Sequence, residues 1–254
     1  MREILSDLVA EQQALDQFLQ SISDRDWVLP TPAPGWSIKD TVSHLAYGEE
    51  IALGAIERGA EFTADLTVAD VEASPARTLR QGRARRHQEI IEWWRNSRAA
   101  VIEALSRMEP SHRIPWLVKP VAARTFATLR LMETWAHGLD IQDAMEGRLP
   151  PPDEDDESGG DSPRLRHIAW LAHRMLPYAF AEAGEEYPES GIRVELMGPR
   201  YARWVFGPAD ADSVIKGMGG EWCRVAVHRL DASATALKAE GAAAEIALAV
   251  VRTY

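Results

Sequence analysis

Glu133 and His137 stand four residues apart and are the pair in this sequence whose types and spacing best suit chemistry. On a helix that spacing is one turn, which puts a carboxylate and an imidazole on the same face. Both groups ligate divalent cations. The stretch from Arg124 to Gly147 has the length and pattern of a single helix. At about 100° per residue, Phe126, Leu129, Glu133, Ala136, His137, Asp140 and Ala144 fall on one stripe. The polar trio therefore sits inside the face that should point at a core. Burying a carboxylate and an imidazole is costly unless something pairs with them. Two arrangements satisfy them: the side chains bond each other inside a bundle, or a divalent cation takes both. Spacing alone does not separate the two.

Other helices must position that face. Leu5, Leu8, Leu15, Phe18 and Leu19 give a helical period over residues 3–21, and Trp27 with Pro30, Pro32, Pro34 and Gly35 marks a loop. Ser37, followed three residues later by Asp40, resembles a capping box that opens a second helix with the stripe Ile38, Val42, Leu45, Ala52 and Ile56. His44 lies off the centre of that stripe, in a row with Asp40 and Gly48, whereas Glu49 falls inside it. A lone histidine so placed is ordinarily a satisfied structural residue. A third helix is expected to begin after Ser74-Pro75 and run to about Met108. Its arginine-rich first half reads as a solvated face rather than a phosphate site. Four helices before residue 150 fit a four-helix bundle whose ligands project inward.

Residues 151–163 are rich in proline, acid and glycine and read as a linker between a bundle over 1–150 and a small domain over 164–254. The acidic run lacks the spacing of a calcium loop. A helix is expected from Arg164 to about Ala183, with His167 and His173 on different sides. Beyond Gly191 the period changes. Ile192, Val194 and Leu196 alternate with polar positions, and Gly198-Pro199 leads into a second strand at Arg203–Phe206. A third strand at Ser213–Lys216, a helix over 221–230 and an alanine-rich C-terminal helix complete a small α+β domain. The fold class is thus mainly α with two domains.

Composition excludes several functions. The net charge of −11 argues against a nucleic-acid partner, which needs a basic surface. Cys223 is the only cysteine, so there is neither an internal disulfide nor a cysteine-based metal site. No signal-peptide pattern and no uninterrupted run of about eighteen apolar residues appear, so no membrane partner is expected and the chain reads as cytoplasmic. Glycine cradles, nucleophile elbows and CxxC pairs are missing as well.

SHLAYGEE at 43–50, ETWAHGLDIQDAMEG at 133–147 and the C-terminal stretch from Val214 to Tyr254 resemble the mycothiol-dependent maleylpyruvate isomerase family over nearly the whole chain. The resemblance implies a DinB-like four-helix bundle that binds a divalent metal. Zinc is favoured, and nickel or iron suit the same donors. The ligands it implies are His44, Glu133 and His137, with Asp140 orienting His137 from behind. It further implies a sterol-carrier-like C-terminal domain that contributes a catalytic arginine, for which Arg229 in VAVHRLDA is the match. Mycothiol, the thiol of certain GC-rich bacteria, would be cosubstrate, and the excess of arginine (24) over lysine (4) is compatible with such a source. In the isomerases the thiolate adds to a conjugated double bond, the skeleton rotates and the thiol leaves. Three functions follow: a thiol-dependent isomerase of a small unsaturated carboxylate, a thiol S-transferase acting on an electrophile, and a metal-stabilised binding protein without catalysis. Oligomeric state is not fixed by the sequence.

Overall fold

The computed structural model describes residues 1–64, 81–116, 119–146, 148 and 161–253. The chain divides into two compact units, Met1–Leu149 and Pro150–Tyr254. The start expected for the third helix and most of the acidic linker lie outside the described residues.

The first unit is built on α1 (Arg2–Ser21), α2 (Ile38–Arg58), the short α3 (Ala60–Thr63), α4 (His87–Ser106) and α5 (Ala123–Ala144), with a two-stranded ribbon, β1 (Arg113–Ile114) and β2 (Val121–Ala122), ahead of α5. α2 packs along α4 and α5, and α1 along α5. The buried core draws Leu15 and Leu19 from α1, Val42 and Leu45 from α2, and Ile90 and Trp94 from α4. Ser37 caps α2 as its spacing predicts: the Asp40 N–H donates to Ser37 Oγ at 3.2 Å, and Asp40 Oδ2 accepts the Ser37 N–H at 3.0 Å. These reciprocal bonds satisfy two of the donors that a helix start leaves open.

The third helix differs from expectation. Residues 81–83 are helical, but Arg86 is extended (φ −74°, ψ 155°) and α4 starts at His87, where Glu89 Oε2 accepts the Arg86 N–H at 2.7 Å. Long-range ties set this break. Arg83 Nε donates to Asp40 Oδ1 at 3.2 Å and Lys39 Nζ donates to the Arg83 carbonyl at 3.2 Å, so this turn is bound to the start of α2. The arginine run is therefore only partly a solvated face.

The second unit holds α6 (Leu165–Ala183), β3 (Ile192–Met197), β4 (Arg203–Phe206), β5 (Ser213–Met218), α7 (Gly219–Ala226), β6 (Lys238–Glu240) and α8 (Ala242–Val250). Its sheet has the order β4-β3-β5-β6. β4 pairs antiparallel to β3 with Val194 opposite Phe206, β5 pairs parallel to β3 with Ile192 opposite Ser213, and β6 closes antiparallel on β5. Ile192, Val194 and Leu196 are buried, while Arg193 and Arg203 both pair with Glu195 on the other face. The Trp222 indole donates to the Ala169 carbonyl at 3.2 Å and the Cys223 thiol to the Leu165 carbonyl at 3.4 Å, which fastens α7 to α6. α7 ends four residues before its expected limit. Among the described residues no helix is long and apolar enough to cross a membrane.

Asp16 on α1 is the main polar tie between α1 and α4. It accepts from Arg95 Nη2 at 2.7 Å and Nε at 2.9 Å, from Gln20 Nε2 at 2.9 Å and from Arg98 Nη2. Burial would raise its carboxyl, but these bonds and the two positive charges outweigh it and hold the group below the usual carboxylate range. Asp16→Ala should cost about 3 kcal/mol in urea unfolding at pH 7, the low end for breaking a buried pair because Arg95 is a third exposed. A depressed carboxyl contributes its stability above the unfolded value of about 3.9 and loses it as pH falls through the folded value. The gap between wild type and variant should therefore close in acid.

Candidate metal centre

α2 and α5 run antiparallel across the site. His44 faces His137, their rings 4.8 Å apart and edge-on, and four residues further along α2 Gly48 lies against Arg130, seven residues back along α5. Between them stands Glu133. Its Oε2 is 3.8 Å from His44 Nε2 and 3.6 Å from His137 Nε2, and one donor atom from each of the three residues lies within 4.8 Å of the others. Neither carboxylate–imidazole distance is a hydrogen bond. A tetrahedral ion with bonds of about 2.0–2.1 Å separates its donors by roughly 3.3 Å, so this spacing suits a shared cation better than direct pairing.

The protonation states agree with that geometry. Burial pushes the Glu133 carboxyl up, but its contact with His44 and the charges of Arg130 and both histidines prevail and hold it at about 2. Burial also pushes the His44 imidazole down, more than Glu133 draws it up, which keeps it neutral near pH 7. A carboxylate and a neutral imidazole are the forms a metal requires. The three side chains remain partly open, with 13%, 24% and 13% of the side chain exposed for His44, Glu133 and His137.

A second set of groups supports the first. His137 Nδ1 bonds Asp140 Oδ2 at 2.9 Å, and Asp140 is 1% exposed, so its carboxylate fixes the ring with Nε2 turned to Glu133. Trp36 walls the site, its ring 4.9 Å from His44 and stacked 6.2 Å from His137. The turn through Pro34 and Gly35 holds it there, since the Trp36 N–H donates to Ala33 and its carbonyl accepts from Thr31 at 2.8 Å. Glu49 is 1% exposed, accepts from Gln12 Nε2 at 3.4 Å, and keeps a buried Oε2 with no partner among the described residues. Burial pushes its carboxyl up to about 7, against the pull of Arg130 and Arg98 and with a push from Glu133.

Arg229 belongs to the second unit and is not on α7 as expected. The helix closes at Ala226, His228 turns left-handed (φ 55°), and the Arg229 N–H returns to the Arg224 carbonyl at 2.8 Å. Arg229 Nη1 donates to the Val227 carbonyl at 2.8 Å, and Arg224 pairs with Asp161 at 2.8 Å.

A family model described as mycothiol maleylpyruvate isomerase N-terminal domain matches residues 8–142, more than half the chain and all three donors. The chain belongs to this family. Over 98% of its length it is also 33% identical to an uncharacterised protein of Mycobacterium tuberculosis, found in strains CDC 1551 / Oshkosh and H37Rv, and covers 94% of that relative. Crystal structures of the mycothiol-dependent maleylpyruvate isomerase and of a histidine-to-alanine mutant of it superpose with a TM-score of 0.60, covering 94% of this chain and 92% of theirs. At 16% identity that likeness establishes a common fold, the helical bundle with a small sheet-containing unit.

Within this isomerase-family bundle, Trp36 and Arg130 are the site residues least marked in the sequence. Trp36 sits in a loop without periodicity. Arg130 shares the face of Glu133, three residues on, and that spacing was the available signal. For Asp140 the expected outcome is specific: Asp140→Asn, which keeps the shape and loses the charge, should weaken zinc binding about tenfold, toward the lower end of such effects, in competition with a chromophoric chelator. Unchanged affinity would remove Asp140 from the centre.

Proposed function

We propose that the chain holds one divalent ion, zinc before nickel or iron, on His44, Glu133 and His137, and is a mycothiol-dependent enzyme acting in the cytoplasm on a small unsaturated or electrophilic carboxylate, with cis–trans isomerisation as the reaction. The observation that carries this reading is the convergence of two imidazoles and one carboxylate within 4.8 Å at a partly open position, in a chain of this family. Three protein ligands of this kind are a catalytic set, whereas structural zinc sites close all four positions. The ion would supply Lewis acidity and lower the pKa of a bound thiol.

The residues divide the remaining work. Glu133 brings the negative charge that offsets the cation, and His44 and His137 complete the donors from opposed helices. Asp140 fixes the ring of His137 and thus the direction of its Nε2. Trp36 covers the two imidazoles on one side. A carboxylate-bearing substrate also needs a cation to anchor it, and Arg229 is the family-matched candidate: its planar fork suits a carboxylate.

Two measurements test the reading. Purified wild type washed with chelator and reloaded should carry one metal per chain by elemental analysis, and His137→Ala should carry far less; equal stoichiometry overturns the ligand set. Arg229→Ala should keep metal and fold while lowering mycothiol-dependent turnover of maleylpyruvate at least tenfold, about 1.4 kcal/mol for each factor of ten. Turnover of a simple electrophile but not of maleylpyruvate would mark an S-transferase. Failure on both, with metal loaded, would mark a binding protein.

A further inference from the structure

Arg130 is a buried cation whose hydrogen-bonding capacity the described residues do not fill. It is 6% exposed, and among the described residues its Nε has no hydrogen-bond partner and no carboxylate lies within ion-pair distance, although Glu49 and Glu133 stand near enough to couple to its charge. Burying a guanidinium is costly unless its donors and charge are met. The ring of Trp116 lies 5.8 Å from the guanidinium carbon, near the outer limit of a cation–π contact, and offsets only part of that cost.

Its place in the fold explains why it is tolerated. Arg130 stands one turn before Glu133 on α5, about 4.5 Å along the axis and on the same face. On the opposed helix Gly48 stands one turn beyond His44, and a Cβ at that position would lie 3.3 Å from Arg130 Nη1. The bare backbone of Gly48 thus makes room for the guanidinium at the turn adjoining the metal ligands. One turn from the donors, the seam between α2 and α5 therefore holds a guanidinium whose Nε–H has no partner among the described residues.

We infer that Arg130, packed on Gly48, is a carboxylate-binding residue that anchors an acid group of the substrate next to His44, Glu133 and His137. A small planar carboxylate matches the fork of a guanidinium. The inference rests on the proposed reading of the substrate as an unsaturated carboxylate. It adds that the helical unit carries an anchor of its own, apart from Arg229.

Maleate is the probe, titrated into the full, zinc-loaded chain by calorimetry, with dimethyl maleate and inorganic phosphate as controls and zinc measured on every sample. Wild type should bind maleate saturably and the other two probes at least tenfold more weakly. Arg130→Gln should weaken maleate at least tenfold with zinc unchanged, and Arg130→Lys should fall between, because it keeps the charge without the fork. Gly48→Ala should weaken maleate without lowering the melting temperature, as alanine favours a helix and only displaces the guanidinium; this separates binding from folding if Arg130→Gln is unstable. Equal maleate affinity in wild type and Arg130→Gln, no saturable binding in wild type, or phosphate bound as tightly as maleate would each overturn the inference. Zinc content reports separately on the metal reading: a chain that fails to hold zinc but still loses maleate with Arg130 would sink that reading and leave this one standing.

Discussion

The antiparallel seam between α2 and α5 carries His44, Glu49, Arg130, Glu133 and His137 into the interior of a helical bundle, and the rest of the unit is arranged around the cost of doing so. Most of these groups are met in part by a neighbour, which lowers that cost. Glu133 is stabilised by Arg130 and the two histidines, Glu49 accepts from Gln12 on α1, and His137 leans on Asp140. The buried layer of Leu15, Leu19, Val42, Leu45, Ile90 and Trp94 holds the helices together around those groups.

How much of this was legible in the sequence depends on how local the cause is. Glu133, His137 and Asp140 lie on one helix at spacings of four and three, so their shared face follows from helical period alone. His44 comes from a distant helix, and only resemblance to a family singled it out; period by itself leaves it an ordinary histidine. The capping box at Ser37 and Asp40 and the strand alternation at Ile192, Val194 and Leu196 were visible for the same local reason. Arg130 was not, because an arginine reads as a surface residue until the glycine opposite it, 82 positions away in the chain, is seen to make room.

The two helix limits that differed from expectation have causes of that non-local or unmarked kind. α4 begins at His87 because Arg83 and Lys39 tie the preceding turn to α2 across more than forty residues. α7 ends at Ala226 through a six-to-one bond from Arg229 to Arg224 with His228 in the left-handed position. α6 ends with the same bonding, but there Gly184 takes the left-handed position and announces the stop. Where histidine replaces glycine, the apolar period of VAVHRL runs on past the point at which the backbone turns.

The bond that fastens Cys223 to the Leu165 carbonyl has a consequence for a protein proposed to work with a reactive thiol. Buried wholly within the second unit, with its thiol pushed well above its ordinary pKa by burial and by Asp161, Cys223 has almost no thiolate to offer. Thiol–disulfide exchange proceeds through the thiolate and needs access to it. In the folded chain, then, the cell's small thiols find no partner with which to form a mixed disulfide, and oxidation that traps other proteins in such adducts passes this one by.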